Sequence, residues 1–270
     1  MSTYDVIVLD LDGTLTNSKK EITPKTKEAL MKAQCVGKKV VLASGRPTGG
    51  VVRLADELRL DEYGGFILSF NGAHIMNYAD GTVVYDKTIP ADLVAPIYEE
   101  TKKAGLGIVT YTDSEIIQSI QFNEYSELEA RINQMPVRQV ENLPEFVDFP
   151  VNKFLLTGEP EQILKAQERM REVFGEQLNI FRSEPFFLEM MPQSIDKAYS
   201  LGILLDHLKT DRTHMICCGD GFNDRSMIQM AGLGVAMANA QDEVKEAADY
   251  ITASNDEDGV AEVVYKFMLV

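Results

Sequence analysis

Residues 4–14 read YDVIVLDLDGT. From Tyr4 to Leu9 the run is apolar except for Asp5, and it stops at two aspartates, a glycine and a threonine. A strand without a polar face suits a parallel sheet that helices cover on both sides, where neither surface meets water.

The flanking sequence repeats the theme. After Thr23-Pro24 a helical pattern with Leu30 and Ala33 inward runs to Gly37, with Thr23 as N-cap and Gly37 as stop. Lys38 to Ala43 is the next buried strand, and Ser44-Gly45-Arg46-Pro47 turns it into a second helix that Pro47 begins. Strand, helix, strand, helix at this spacing predicts right-handed crossovers and an α/β fold on a doubly wound parallel sheet. A third strand spans residues 66–70, followed by Asn71-Gly72-Ala73 and a hairpin-like segment, Ile75 to Tyr85, turned at Ala79-Asp80-Gly81.

The character then changes. Helices over 91–104 and 125–133, with strands over 107–112 and 115–120, lack acidic or glycine-rich strand ends. A strand over 151–157 follows, then an amphipathic helix over 161–174 with Ile163, Ala166, Met170 and Phe174 on one face, then strands near 178–182 and 186–190. These predict a smaller α/β unit inserted at 83–190, with 1–82 and 191–270 forming the main domain. From Ser194 the first pattern resumes with a helix carrying Ala198, Leu201, Leu205 and Leu208. The strand Met215 to Cys218 runs into Gly219-Asp220-Gly221-Phe222-Asn223-Asp224, and 233–236, 250–251 and a helix over 260–268 complete the sheet.

Composition narrows the function. The chain of 270 residues carries 42 acidic against 26 basic residues, a formal charge of −16, which repels phosphate backbones and anionic lipid. Nucleic acid and membrane are not expected partners. No apolar stretch approaches the roughly 18 residues of a membrane span, and an acidic residue interrupts the start before a signal sequence could form, so a cytoplasmic location is expected. Cys35, Cys217 and Cys218 lack metal-site spacing and read as buried reduced thiols; His74, His207 and His214 are scattered, so zinc has no visible ligand set. An acidic enzyme handling an anionic substrate needs a local positive device.

In an open parallel sheet, ligands bind beyond the carboxyl ends of the strands. Three predicted strands end there in Asp10 and Asp12, in Ser44 and Gly45, and in Asp220, Asn223 and Asp224. Gathered carboxylates repel unless a cation intervenes, and an all-oxygen set suits Mg²⁺. Asp10-Leu11-Asp12 stands at a strand end, where the two carboxylates are expected to take different directions, so one can be nucleophile and the other proton donor. Phosphate monoester hydrolysis asks for in-line attack, neutralised equatorial oxygens and a proton for the leaving alkoxide.

With Asp-x-Asp-Gly-Thr at 10–14, Ser-Gly-Arg-Pro at 44–47, Asn-Gly-Ala at 71–73 and Gly-Asp-Gly-x-Asn-Asp at 219–224, the sequence resembles the haloacid dehalogenase superfamily, in its Cof-type branch. The resemblance spans nearly the whole chain and implies a Rossmann-like core whose insert is an α/β cap that screens substrates. It implies Asp10 as nucleophile and metal ligand, and Asp12 as general acid and base that also ligates Mg²⁺ through its main-chain carbonyl. Leu11 (backbone), Ser44, Gly45, Lys197 and Asn223 correspond to phosphate contacts. Asp220 corresponds to the remaining direct metal ligand, and Asp224 to a residue holding one of the ion's waters. The family lysine is usually followed by glycine, whereas Ala198 follows Lys197 here. The implied substrate is a small phosphorylated metabolite, sugar phosphates first, with flavin mononucleotide and pyridoxal phosphate behind. Arg182 and Glu189 are candidate leaving-group contacts in the insert.

Plainer readings stand beside these. Lys197 alone would be a solvated helix residue, Arg46 and Asn71 could simply shape turns, Met227, Met230 and Met237 read as core, and Asp256 to Asp258 as an exposed acidic loop. A phosphomutase or phosphotransferase would pass the phosphoryl group to a second hydroxyl, and a dehalogenase would keep its activity in a chelator. A receiver-like module would lack the Asp-x-Asp pair, and an ion-pumping ATPase would need membrane spans.

Overall fold

A computed structural model describes residues 3–270 of the chain, so Met1 and Ser2, which open the 1–82 segment read from sequence, lie outside the described residues. Contacts divide the chain into two compact units. One holds the chain up to Arg46 with Val51–Tyr85 and Asp196–Val270; the other holds Pro47–Gly50 and Asp86–Ile195.

The first unit is built on an eight-stranded sheet. Its strands are β1 (Val6–Leu9), β2 (Lys39–Ala43), β3 (Phe66–Ser69), β4 (His74–Asn77) and β5 (Val83–Asp86), and, numbered on past six strands of the second unit, β12 (Met215–Gly219), β13 (Leu233–Ala236) and β14 (Tyr250–Ile251). The order is β14-β13-β12-β1-β2-β3-β4-β5. All pairs from β14 to β3 are parallel, and β4 runs antiparallel to β3. The chain therefore winds one way from β1 through β3 and the other way from β12 through β14, which puts the switch point between β1 and β12.

Strand parity feeds two cores. Ile7, Leu9, Val40, Leu42, Ile67, Ile216 and Cys218 pack on one face with Ala29, Leu30, Leu54 and Val260. Val6, Val8, Val41, Ala43, Phe66, Leu68 and Cys217 pack on the other with Leu201, Leu204, Leu205 and Met227. Burial on both faces is the physical reason the β1 stretch has no polar side. Thr23 caps the Pro24–Cys35 helix, its hydroxyl accepting from the Thr26 amide at 3.2 Å.

The second unit has a six-stranded sheet in the order β10-β11-β9-β6-β7-β8, with β6 (Gly107–Tyr111), β7 (Ile116–Ser119), β8 (Val137–Gln139), β9 (Phe154–Thr157), β10 (Leu178–Glu184) and β11 (Phe187–Pro192). Only β7 and β8 pair in parallel. Ile108, Phe154, Leu156, Leu188 and Met190 face a core shared with Ile97 and with Ile163, Ala166, Met170 and Phe174 of the Pro160–Phe174 helix.

Several expectations are corrected. The second helix starts at Gly49, not at Pro47, because residues 44–48 are spent on the turn that leaves β2. The strand expected over 151–157 is regular only from Phe154. Cys35 is exposed at the end of its helix, its thiol 3.4 Å from the Tyr63 hydroxyl, whereas Cys217 and Cys218 are buried free thiols. By contact the two units meet along the chain at 85/86 and 195/196, with β5 in the first sheet and β11 running on to Pro192 in the second. No helix among the described residues is long and apolar enough to cross a membrane.

Phe154 is fully buried in the second unit's core. Truncating a buried phenylalanine typically costs about 3–5 kcal/mol. Phe154→Ala is therefore expected to lower the urea midpoint for unfolding of the second unit, followed by circular dichroism; an unchanged midpoint would contradict the packing described.

Candidate active site

Three neighbouring parallel strands deliver the site. Asp10 follows β1, Ser44 follows β2 and Asp220 follows β12, and these strands lie side by side in the order β12-β1-β2. The Asp10 amide continues the ladder by donating to the Cys218 carbonyl at 3.1 Å, and the Ser44 amide donates to Leu68 at 2.8 Å.

At the centre is Lys197, the first residue of the Lys197–Leu208 helix, with no exposed surface. Its ammonium donates to Asp10 Oδ1 at 2.6 Å, to Asp224 Oδ1 at 2.6 Å and to the Ala43 carbonyl at 2.8 Å. Burial alone would lower the Lys197 pKa, but the two carboxylates outweigh it and hold the pKa above the ordinary lysine range. Asp196 caps the helix by accepting from the Tyr199 amide at 2.7 Å, and so fixes where Lys197 begins.

Asp224 is wholly buried and fully used. Its second oxygen accepts from the Asp220 and Gly221 amides, both at 3.0 Å, which folds the 219–224 loop around it. Asp220 Oδ1 accepts from the Thr14 hydroxyl at 2.8 Å. Gly13 stands at φ +86°, and a β-carbon there would sit 2.3 Å from Asp220 Oδ2, so this position requires glycine both for its backbone and for the approach of that carboxylate. Asn239 holds the Gly13 carbonyl at 2.8 Å.

One ligand oxygen each from Asp10, Asp220 and Asp224 lie within 4.8 Å of one another. Lys197 bonds two of these carboxylates, Asp10 and Asp224, and the surplus negative charge registers on Asp10 and Asp220. Asp10 is raised well above the usual carboxylate range by burial and by Asp224, against the pull of Lys197. Asp220 is pushed up to about 6 by burial and by Asp224, although Thr14 opposes the shift. An all-oxygen donor set with surplus negative charge, and a carboxylate drawn in over a glycine, fits a hard dication such as Mg²⁺.

Asp12 lies apart from this cluster: on a regular strand residues 10 and 12 would share a face, but β1 ends at Leu9 and residue 11 already lies in a turn, so the chain has swung away before Asp12. Arg46 grips it in fork geometry, Nε to Oδ2 at 2.9 Å and Nη2 to Oδ1 at 2.7 Å, and the exposed Lys20 adds a contact at 2.7 Å. Burial would raise Asp12, yet Arg46 and Lys20 together hold it below the usual range. Leu11 is buried, with its carbonyl accepting from the Thr16 amide and hydroxyl, both at 2.9 Å, so that the loop doubles back beneath the site.

The Ser44 side chain is buried and its hydroxyl accepts from the Arg46 amide at 3.2 Å. Gly45 lies against the Asn71 carboxamide, and the exposed Asn223 donates to Asn71 Oδ1 at 3.3 Å. In the second unit, Glu189 is buried beside Lys153 at 3.5 Å, and Arg182 is exposed on β10. Of the partners, Arg46 reads from sequence as either a turn brace or a functional residue, whereas Thr14, Lys20 and Asn239 have no role of their own assigned there. Thr14 and Arg46 sit inside quoted motifs, but Lys20 and Asn239 carry no such signal.

A family model described as haloacid dehalogenase-like hydrolase matches residues 7–264. A solved haloacid dehalogenase-like hydrolase from Bacteroides thetaiotaomicron is 47% identical, covers 97% of this chain and 99% of its own, and superposes with a TM-score of 0.95. YxeH of Bacillus subtilis (strain 168), named as a candidate phosphatase, is 33% identical over 98% of this chain and 99% of its own. YcsE of the same organism, named a 5-amino-6-(5-phospho-D-ribitylamino)uracil phosphatase, is 30% identical over 98% and 96%. With end-to-end agreement in sequence and fold, the chain belongs to the haloacid dehalogenase-like hydrolase family, in its Cof-type phosphatase branch.

Proposed function

We propose that the protein is a magnesium-dependent phosphatase acting on small phosphorylated metabolites, sugar or polyol phosphates foremost, through a phosphoaspartate on Asp10. The observation that carries this reading is the convergence of Asp10, Asp220 and Asp224 on one point beside a fully buried Lys197. Asp10 and Asp220 would hold Mg²⁺ through their carboxylates and Asp12 through its main-chain carbonyl, while Asp224 braces the set. Once bound, the ion would neutralise the nucleophile and the phosphoryl oxygens so that two anions can meet.

The chain's own groups do the rest. Lys197 fixes one Asp10 oxygen, which restricts the carboxylate to one orientation and leaves the other oxygen for in-line attack on phosphorus. The P–O bond to the leaving alcohol breaks as the Asp10–phosphorus bond forms, and Asp12 gives the departing oxygen its proton. Asp12 then takes a proton from the water that cleaves the phosphoaspartate. Ionised by Arg46 and Lys20, Asp12 is ready for that second step, and to serve as acid in the first it must part from Arg46. Leu11 backbone, Ser44, Gly45 and Asn223 are the proposed phosphate contacts, and the 86–195 unit is read as the cap that screens leaving groups.

Two relatives guide the substrate class. The name of YcsE specifies a phosphorylated ribityl chain, and a subclass IIB sugar phosphatase of known structure is 25% identical to this chain, with a TM-score of 0.80, covering 98% of this chain and all of its own. Both names point to substrates with phosphate on a polyhydroxy carbon chain. Flavin mononucleotide and pyridoxal phosphate are the next candidates.

In a phosphate-release assay across a metabolite panel, the highest kcat/KM is expected on a sugar phosphate or a polyol phosphate without a flavin ring; a preference for flavin mononucleotide or pyridoxal phosphate would displace that choice. Asp10→Asn is expected to lower kcat by about 10⁴-fold or more on every substrate. Removal of divalent ions should abolish turnover and added Mg²⁺ should restore it, whereas full activity in chelator would sink the metal reading. Asp12→Asn should cost about 10²–10⁴-fold on alkyl phosphates. On p-nitrophenyl phosphate, whose leaving group departs without a proton, the first-turnover release of p-nitrophenolate should be largely spared, while steady turnover still falls because Asp12 also serves as base in phosphoaspartate hydrolysis.

A further inference from the structure

The chain leaving β3 takes an unfavourable path. Phe70 (φ 51°), Asn71 (φ 54°) and Gly72 (φ 103°) are consecutive residues in the left-handed region. Glycine enters that region without a steric cost, asparagine at a small one, and a bulky aromatic residue rarely. Such a run persists only where the surroundings force it, and strain of this kind gathers at functional sites.

Here the surroundings are the proposed phosphate site itself. The Phe70 amide donates to the Arg46 carbonyl and the Asn71 amide to the Ser44 carbonyl, each at 2.9 Å, so the run is tied across the Ser44–Arg46 turn. The Gly72 carbonyl accepts from Ser200 at 2.7 Å, on the helix that begins with Lys197, and a β-carbon on Gly72 would lie 2.6 Å from that same hydroxyl. What this fixes is the Asn71 carboxamide. A β-carbon on Gly45 would sit 3.1 Å from its Nδ2 and 3.2 Å from its Oδ1, and that Oδ1 accepts from Asn223. Asn71 thus touches two residues assigned to phosphate, from opposite ends of the sequence, and its loop is bonded to the helix of a third.

We infer that Asn71 is a positioning residue of the phosphate subsite, its carboxamide orienting the Asn223 amide and forming the wall against which the Ser44–Gly45 turn packs. The inference rests on the phosphatase reading above. It competes with a plain alternative, that asparagine stands at position 71 only because it tolerates a left-handed backbone. The two part at one substitution, because glycine suits that backbone better than asparagine but has no carboxamide.

The test uses the full-length protein with Mg²⁺ and compares wild type, Asn71→Gly, Asn223→Ala and the double variant. The readouts are turnover of p-nitrophenyl phosphate, competitive inhibition by inorganic phosphate, and Tm. Asn71→Gly is expected to keep or raise Tm while weakening phosphate inhibition and raising KM roughly five- to tenfold, the scale of one hydrogen bond, with a smaller change in kcat. Asn71→Ala, which removes the amide without freeing the backbone, should weaken phosphate binding equally. The double variant should match Asn223→Ala within about twofold, since an orienting group has nothing to orient once its partner is gone. Wild-type phosphate affinity in Asn71→Gly would overturn the inference, as would losses that multiply in the double variant. A wild type without Mg²⁺-dependent turnover would overturn the phosphatase reading and this inference with it, a result distinct from a competent wild type beside an indifferent Asn71→Gly.

Discussion

Everything at the strand ends depends on one buried ammonium. Lys197 is the common partner of Asp10 and Asp224, and removing one partner of a buried charge pair costs about 3–5 kcal/mol because the remaining charge is stranded. The lysine is also bonded to the Ala43 carbonyl at the end of β2, so a single side chain joins β1, β2, the 219–224 loop and its own helix. Asp224 extends the network to the amides of Asp220 and Gly221. The arrangement therefore supports the fold and the candidate chemistry with the same bonds.

A second constraint is directional. Asp10 and Asp12 stand two residues apart, a spacing that would share one face of a strand, but the chain turns beyond Leu9, and Asp10 goes to Lys197 while Asp12 goes to Arg46 and Lys20. Their electrostatic surroundings diverge accordingly, one carboxyl pushed up by burial and a neighbouring acid, the other pulled down by two cations. Divergent environments for paired carboxylates are what a reaction with separate nucleophile and proton-transfer roles asks of a protein.

Much of the fold was legible because its signals are strong. The apolar runs of β1, β2 and β12 have no polar face, and the inward residues of the Pro160–Phe174 helix recur at helical spacing. Weak signals hid the rest. The three-residue edge strand β8 and the four-residue Leu143–Phe146 helix are too short for periodicity to show. The left-handed turn at Phe70 runs against local preference and is imposed by Ser44 and Arg46, so the third strand ends at Ser69, one residue before the sequence suggests. Partner choice was likewise hidden, since nothing local to Arg46 or Lys20 says that both close on Asp12.

The complete engagement of Lys197 has a consequence for covalent chemistry. An amine reacts with acylating or carbamylating agents through its lone pair, and an ammonium kept protonated, sealed from solvent and spending every N–H on a protein oxygen has none to offer. Surface lysines would be acetylated long before this one, so the fold makes its most consequential lysine its least reactive.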